Sequence, residues 1–65
     1  MKKIKSVTVY TITEDHKFKV DSLVTKIDIV RLQKEVNIHL YDFSNKIISS
    51  SYFNRENVIS YTVTF

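Results

Sequence analysis

Hydrophobic positions recur with a period of two along most of the chain, the spacing of β-strands with one covered face. The alternation is cleanest over residues 58–65. There Ile59, Tyr61, Val63 and Phe65 fall on one side, and Ser60, Thr62 and Thr64 on the other. Residues 4–13 also alternate, with Val7 and Val9 on one side and Ile4, Thr8, Tyr10 and Ile12 on the other. Apolar weight on both sides predicts a first strand covered on both faces. Glu14-Asp15-His16 is a polar break. Phe18 and Val20 then alternate with Lys17, Lys19 and Asp21, a short second strand folding back on the first. Near Ser22-Leu23-Val24 the apolar phase flips from even to odd positions, as it would at a bulge, at a corner between sheets or at a switch to helix.

Residues 26–41 read as one antiparallel hairpin around a Gln33-Lys34 turn. In that register Leu32 faces Glu35, Arg31 faces Val36, Val30 faces Asn37, Ile29 faces Ile38, Asp28 faces His39, Ile27 faces Leu40 and Lys26 faces Tyr41. One face then collects Ile27, Ile29, Val36, Ile38 and Leu40, and the other Lys26, Asp28, Asn37, His39 and Tyr41, so apolar meets apolar across the strands. Gln-Lys is a poor fit to the two-residue hairpin turns, which favour Asn-Gly or Gly-X. A longer loop starting at Leu32 is the alternative.

A helix over residues 22–34 competes with this reading, because Leu23, Val24, Ile27, Val30 and Lys34 recur near helical spacing and Asp21 or Ser22 would serve as its N-cap. The β-branched run of Val24, Thr25, Ile27, Ile29 and Val30 argues for strand. After the hairpin, Asp42-Phe43-Ser44-Asn45-Lys46 is the strongest turn signal in the chain. A fourth strand follows at residues 47–53, with Ser49-Ser50-Ser51 at its centre: an edge strand with little packed on it, or the floor of a groove. Asn54-Arg55-Glu56-Asn57 forms a further turn. The pattern as a whole predicts a mainly β fold, a single domain over residues 1–65. Its form is an antiparallel meander or small barrel of five or six strands, with first and last strands adjacent. The alternative is α+β, with one helix near residues 22–34 on an antiparallel sheet.

Composition sharpens this picture. The 65 residues include no Gly, Pro, Cys or Trp, and 43% are hydrophobic. A chain this short is marginal alone, and without cysteine it has no disulfide or thiolate metal site to stabilise it. Stability must come from a dense core or from association. The absence of Gly excludes P-loops and dinucleotide-binding loops and leaves Asn45, Asn54 and Asn57 for any turn that needs positive φ. Abundant Ile, Lys, Asn, Tyr and Phe are the residues of AT-rich codons, a hint of an AT-rich bacterium or its phage or mobile elements. The start Met-Lys-Lys-Ile-Lys precedes no apolar core of a signal peptide, and no apolar run reaches membrane-spanning length. The expectation is a soluble, cytoplasmic protein that does not act at a membrane.

Charge adds one candidate surface. The net charge of +3 comes entirely from residues 1–19, where Lys2, Lys3, Lys5, Lys17 and Lys19 outnumber Glu14 and Asp15. Lys3, Lys5, Lys17 and Lys19 with Tyr10 and Phe18 would make a nucleic-acid-binding face, lysines tracking phosphates and aromatics stacking on bases. Edge lysines that block aggregation are the plainer account, and Arg, the usual base-reading residue, is scarce.

Candidate chemistry is sparse. His39 opposite Asp28, flanked by Tyr41 and Lys26, has the beginnings of general-base machinery without a recognisable nucleophile, and a surface pair explains it as well. His16 with Glu14 and Asp15 lacks metal-ligand spacing, so no metal or cofactor is expected, nor a small-molecule substrate or an enzymatic activity. Exposed strand edges and tyrosines suit protein contacts instead. Tyr41, Tyr52 and Tyr61 are the candidate contact residues, although any of them equally suits the core. The leading expectation is a small non-enzymatic binding or accessory protein acting through protein–protein contacts, as a homo-oligomer or with another protein. The alternative is a nucleic-acid-binding barrel built on the basic hairpin.

Overall fold

The computed structural model describes residues 3–65 and is built of six strands. They are β1 (Ser6–Thr11), β2 (Asp15–Lys19), β3 (Lys26–Arg31), β4 (Glu35–Tyr41), β5 (Ile47–Asn54) and β6 (Val58–Thr64), with one 3-10 turn, Arg55–Asn57, before β6. Two three-stranded antiparallel sheets result, ordered β2-β1-β6 and β3-β4-β5. The first and last strands pair, Ser6 opposite Thr64 and Val9 opposite Tyr61. The fold is mainly β and meander-like, and it is not a closed barrel.

The period-two pattern explains the packing. Val7 and Val9 of β1 are fully buried, as is Ile38 of β4, and they meet Val24 and Ile27 in one apolar cluster between the sheets. Ile4, Phe18, Leu40, Phe53, Tyr61 and Val63 close around it. Only this inner face of β1 is covered by the second sheet. Its outer face carries half-buried Ser6, Thr8 and Tyr10, and Ile12 lies beyond the strand, exposed. The expectation of a first strand covered on both faces fails because both apolar residues expected on its outer face fall outside β1: Ile12 is exposed, and Ile4 packs against the core cluster instead.

The hairpin over residues 26–41 has the register the pattern requires, from Lys26 opposite Tyr41 to Arg31 opposite Val36. It closes with the two-residue Gln33-Lys34 turn, where the Leu32 N–H donates to the Glu35 carbonyl at 2.8 Å. Asn45 is the sole non-glycine residue with positive φ among the described residues, so this is not a primed turn. Arg55 supports it instead: its backbone N–H donates to the Lys34 carbonyl and its Nε to the Leu32 carbonyl, both at 2.9 Å.

No helix forms over residues 22–34. The Asp21 carboxylate does accept the N–H groups of Leu23 (2.7 Å) and Val24 (2.8 Å), as a helix cap would. The β-branched run then carries the chain into β3, and the cap closes an Asx turn. β2 begins earlier than the polar residues suggest, at Asp15, because His16 and Phe18 point toward β5. In β6 the simple alternation breaks. Tyr10 pairs with Ser60 and Thr11 with Val58, so Ile59 is a bulge residue, 68% exposed, and Val58 takes its place against the core. A second bulge sits at Ile48, between Ser49 opposite Leu40 and Ile47 opposite Tyr41.

Side chains span the gaps between the sheets. On one side Arg31 of β3 donates through Nε to the Tyr61 hydroxyl of β6, with its guanidinium 5.3 Å from that ring. On the other, His16 and Phe18 of β2 set their ring edges against Phe53 of β5, at centroid distances of 4.9 and 6.2 Å. Two seams, β3/β6 and β2/β5, therefore replace barrel closure.

Candidate functional site

The outer face of β3-β4-β5 holds a polar constellation drawn from three neighbouring strands. Register places Asp28, His39 and Ser50 side by side on three neighbouring strands. His39 Nδ1 lies 2.8 Å from Ser50 Oγ, and its ring stands edge-on to Tyr52 at 6.1 Å. Asp28 does not reach the imidazole among the described residues. It pairs with Lys26 at 3.7 Å, and the Lys26 ammonium lies 4.8 Å from the Tyr41 ring centre. A serine, a histidine and an aspartate in one row resemble a hydrolytic triad in composition alone. The carboxylate that should orient the imidazole is engaged elsewhere, and Nδ1, the usual seat of that carboxylate, faces the serine. Ser50 was hidden within a run of three serines; only the β4–β5 register singles it out.

Beside this row Asn37 is buried to 7% exposure, and its Oδ1 has no hydrogen-bond partner among the described residues. It lies between Val30 and Tyr52, the latter 65% exposed. The acidic turn is separate: His16 Nε2 lies 3.5 Å from Glu14 Oε1, and no group of three or more potential metal ligands forms among the described residues.

The sequence candidates distribute unevenly. Tyr41 and Tyr52 share the outer face of β3-β4-β5, whereas Tyr61 lies in the β3/β6 seam against the core. Tyr10, Lys17 and Lys19 share the outer face of β2-β1-β6 with Thr8 and Thr62. Phe18 points the other way, into the core cluster, so it is not on the lysine face. Lys3 and Lys5 precede β1, exposed, and Lys2 lies outside the described residues.

A cavity of about 670 Å³ opens at one end of the sandwich, with Ile4, Ile27, Phe43 and Phe65 among its walls and Lys3, Lys26, Asp28 and Asp42 at its rim. Charges of both signs ring it, so it selects no single ligand charge. A smaller groove of about 200 Å³ runs past His16, Tyr52 and Phe53.

The four sheet edges differ in protection. β2 carries Asp15, His16, Lys17 and Lys19, and β3 carries Lys26, Asp28 and Arg31. Uncharged β6 has Arg31 laid against Tyr61. β5, the longest strand at eight residues, has no charged side chain. Native edges are normally guarded by charge, bulge or cover; on β5 the bulge at Ile48 guards one end and the His16 and Phe18 rings lie against Phe53 at the other, with the serine run between them. Comparison with protein-family models, curated proteins and solved structures finds no match. Among the described residues no helix is long and apolar enough to cross a membrane.

Proposed function

We propose that the chain is a small non-enzymatic binding protein acting through protein–protein contacts made by the β3-β4-β5 sheet, with Tyr52 at the centre and Tyr41 at the flank. The observation that carries this reading is the apolar surface left on that sheet: Val30, Leu32, Ile47, Ile48 and Tyr52 are 37–65% exposed. Amphipathic tyrosine beside aliphatic residues is typical of contact surfaces. A cytoplasmic accessory protein of a phage or mobile element fits the composition and the small size. The test uses wild-type and Tyr52→Lys proteins as parallel baits in extract of the source cell. Proteins retained by wild type should be lost from the variant; identical captures, or none, overturn the reading.

A second reading rests on the face that Tyr10, Lys17 and Lys19 share. Cations beside an aromatic on an open sheet suit single-stranded nucleic acid. Under it, binding to single-stranded DNA falls steeply with salt and weakens in Lys17→Glu; no binding at low salt excludes it.

A further inference from the structure

We infer that the partner of β5 is a second copy of β5, paired antiparallel about Ser50, so that two molecules share one six-stranded sheet. This rests on the protein-binding reading above and gives it an occupant and a register. The first argument is which backbone groups face outward. Hydrogen bonding in an antiparallel ladder alternates between the two neighbours of a strand. The Leu32–Glu35 bond turns Glu35, and with it Asn37 and His39, toward β3. Val36, Ile38 and Leu40 therefore bond to β5, through Phe53, Ser51 and Ser49. The bond from the Arg55 N–H to the Lys34 carbonyl continues the same phase. The N–H and C=O groups of Ser50 and Tyr52 are thus aimed away from β4, and Ile48, at the bulge, marks the end of this regular stretch. Among the described residues no strand pairs with them.

The second argument is self-complementarity. Residues 47–53 read Ile-Ile-Ser-Ser-Ser-Tyr-Phe, nearly symmetric in size and polarity about Ser50. A two-fold axis there sets Ser50 against Ser50, Ser49 against Ser51, and Ile48 against Tyr52 twice. A two-fold interface requires this self-match, and in this register the outward residues of one copy meet the outward residues of the other. Shifting the register by two residues toward the C-terminus sets Ser50 against Tyr52 twice and removes both Ile48–Tyr52 pairs. No like charges meet, because β5 has no charged side chain.

The third argument is area. The chain exposes 4924 Å², where a compact monomer of its mass exposes about 4300 Å². The excess of about 600 Å² belongs to the whole surface, to which the exposed Ile47, Ile48 and Tyr52 of β5 contribute, and it is of the same order as the roughly 800 Å² that each partner buries in a standard interface.

Sedimentation equilibrium from micromolar to millimolar concentration tests the inference, with circular dichroism confirming that each variant is folded. A monomer–dimer equilibrium is expected, shifted to monomer by Tyr52→Lys and by Ile48→Glu, each of which alters an exposed side chain. Mixing the two variants should restore a dimer, because the register places the new ammonium at position 52 of one copy opposite the new carboxylate at position 48 of the other. The chain lacks cysteine, so Ser50→Cys adds a second readout. Paired residues lie about 5.5 Å apart between Cα atoms, within disulfide reach, so mild oxidation should link the Ser50→Cys protein and leave Ser49→Cys unlinked. A monomer at every concentration overturns the inference and leaves the bait experiment to judge the broader reading. A dimer indifferent to Tyr52→Lys, or variants that do not rescue each other, overturns the β5 register.

Discussion

Asp21 stabilises a turn with one oxygen: its Oδ1 accepts the N–H groups of Val24 and Leu23. These bonds favour the carboxylate and hold its pKa below the ordinary aspartate value, the bond from Val24 contributing most. A depressed folded pKa stabilises the fold above the unfolded value, near pH 4. That contribution fades as pH drops through the lower folded value. Asp21→Asn keeps an oxygen acceptor without the titration. Urea midpoints of the two proteins should therefore differ more at neutral pH than at pH near 2, and a difference independent of pH would contradict the assignment. Asn45 is a second informative position. At φ 63° it sits where side chains with a branched Cβ are strained, in a turn where Asp42 Oδ1 accepts the Ser44 and Lys46 N–H groups. Asn45→Gly should change stability by under about 0.5 kcal/mol, while Asn45→Val should cost about 1–2 kcal/mol in urea unfolding. The need for asparagine at a positive-φ turn was readable from a chain without glycine. Which asparagine it was depended on the turn Asp42 organises.

At the level of strands, hairpin register was readable because both β3 and β4 carry apolar residues on alternate positions, and a one-residue slip would expose them all. Bulges were not, because a bulge is a property of two strands. Read alone, β6 keeps Ile59 in phase with Tyr61; only pairing with β1 pushes it outward. The same limit applied to the site: Asp28 opposite His39 followed from the hairpin, but Ser50 beside His39 required the β4–β5 register and its bulge at Ile48. Cap chemistry at Asp21 kept a helix as the alternative to the strand for a related reason, since an Asx turn and a helix N-cap begin with the same hydrogen bonds. Isoleucine truncations separate the two classes of position. Ile38→Ala, in the fully buried centre of β4, should cost about 2–5 kcal/mol. Ile59→Ala should cost less than about 0.5 kcal/mol. Equal losses would place Ile59 in the core and remove the bulge.

For the molecule as a whole, the difference between barrel and sandwich lay outside the reach of patterning. Alternation fixes which residues face inward, and both architectures bury the same set. What decides is whether edge strands hydrogen-bond, and here Arg31–Tyr61 and the rings of His16, Phe18 and Phe53 stand where ladders would run. Hydrogen exchange reads this directly. Amides of the central strands β1 and β4 should exchange most slowly, and amides of β3 and β6 that face the seam measurably faster; equal protection would mean that the seam is zipped by backbone bonds. The pairing of β1 with β6 has a further consequence, in time. Ser6 waits for Thr64, nearly the whole chain later, and at roughly 5–20 residues per second a ribosome takes several seconds to deliver it. Through that interval β1 has only β2 beside it, and the apolar face of Val7 and Val9 lacks the sheet that covers it in the finished fold. Of the six strands described, the earliest in sequence thus depends on the latest, and the apolar face of β1 is where misassociation threatens until β6 arrives.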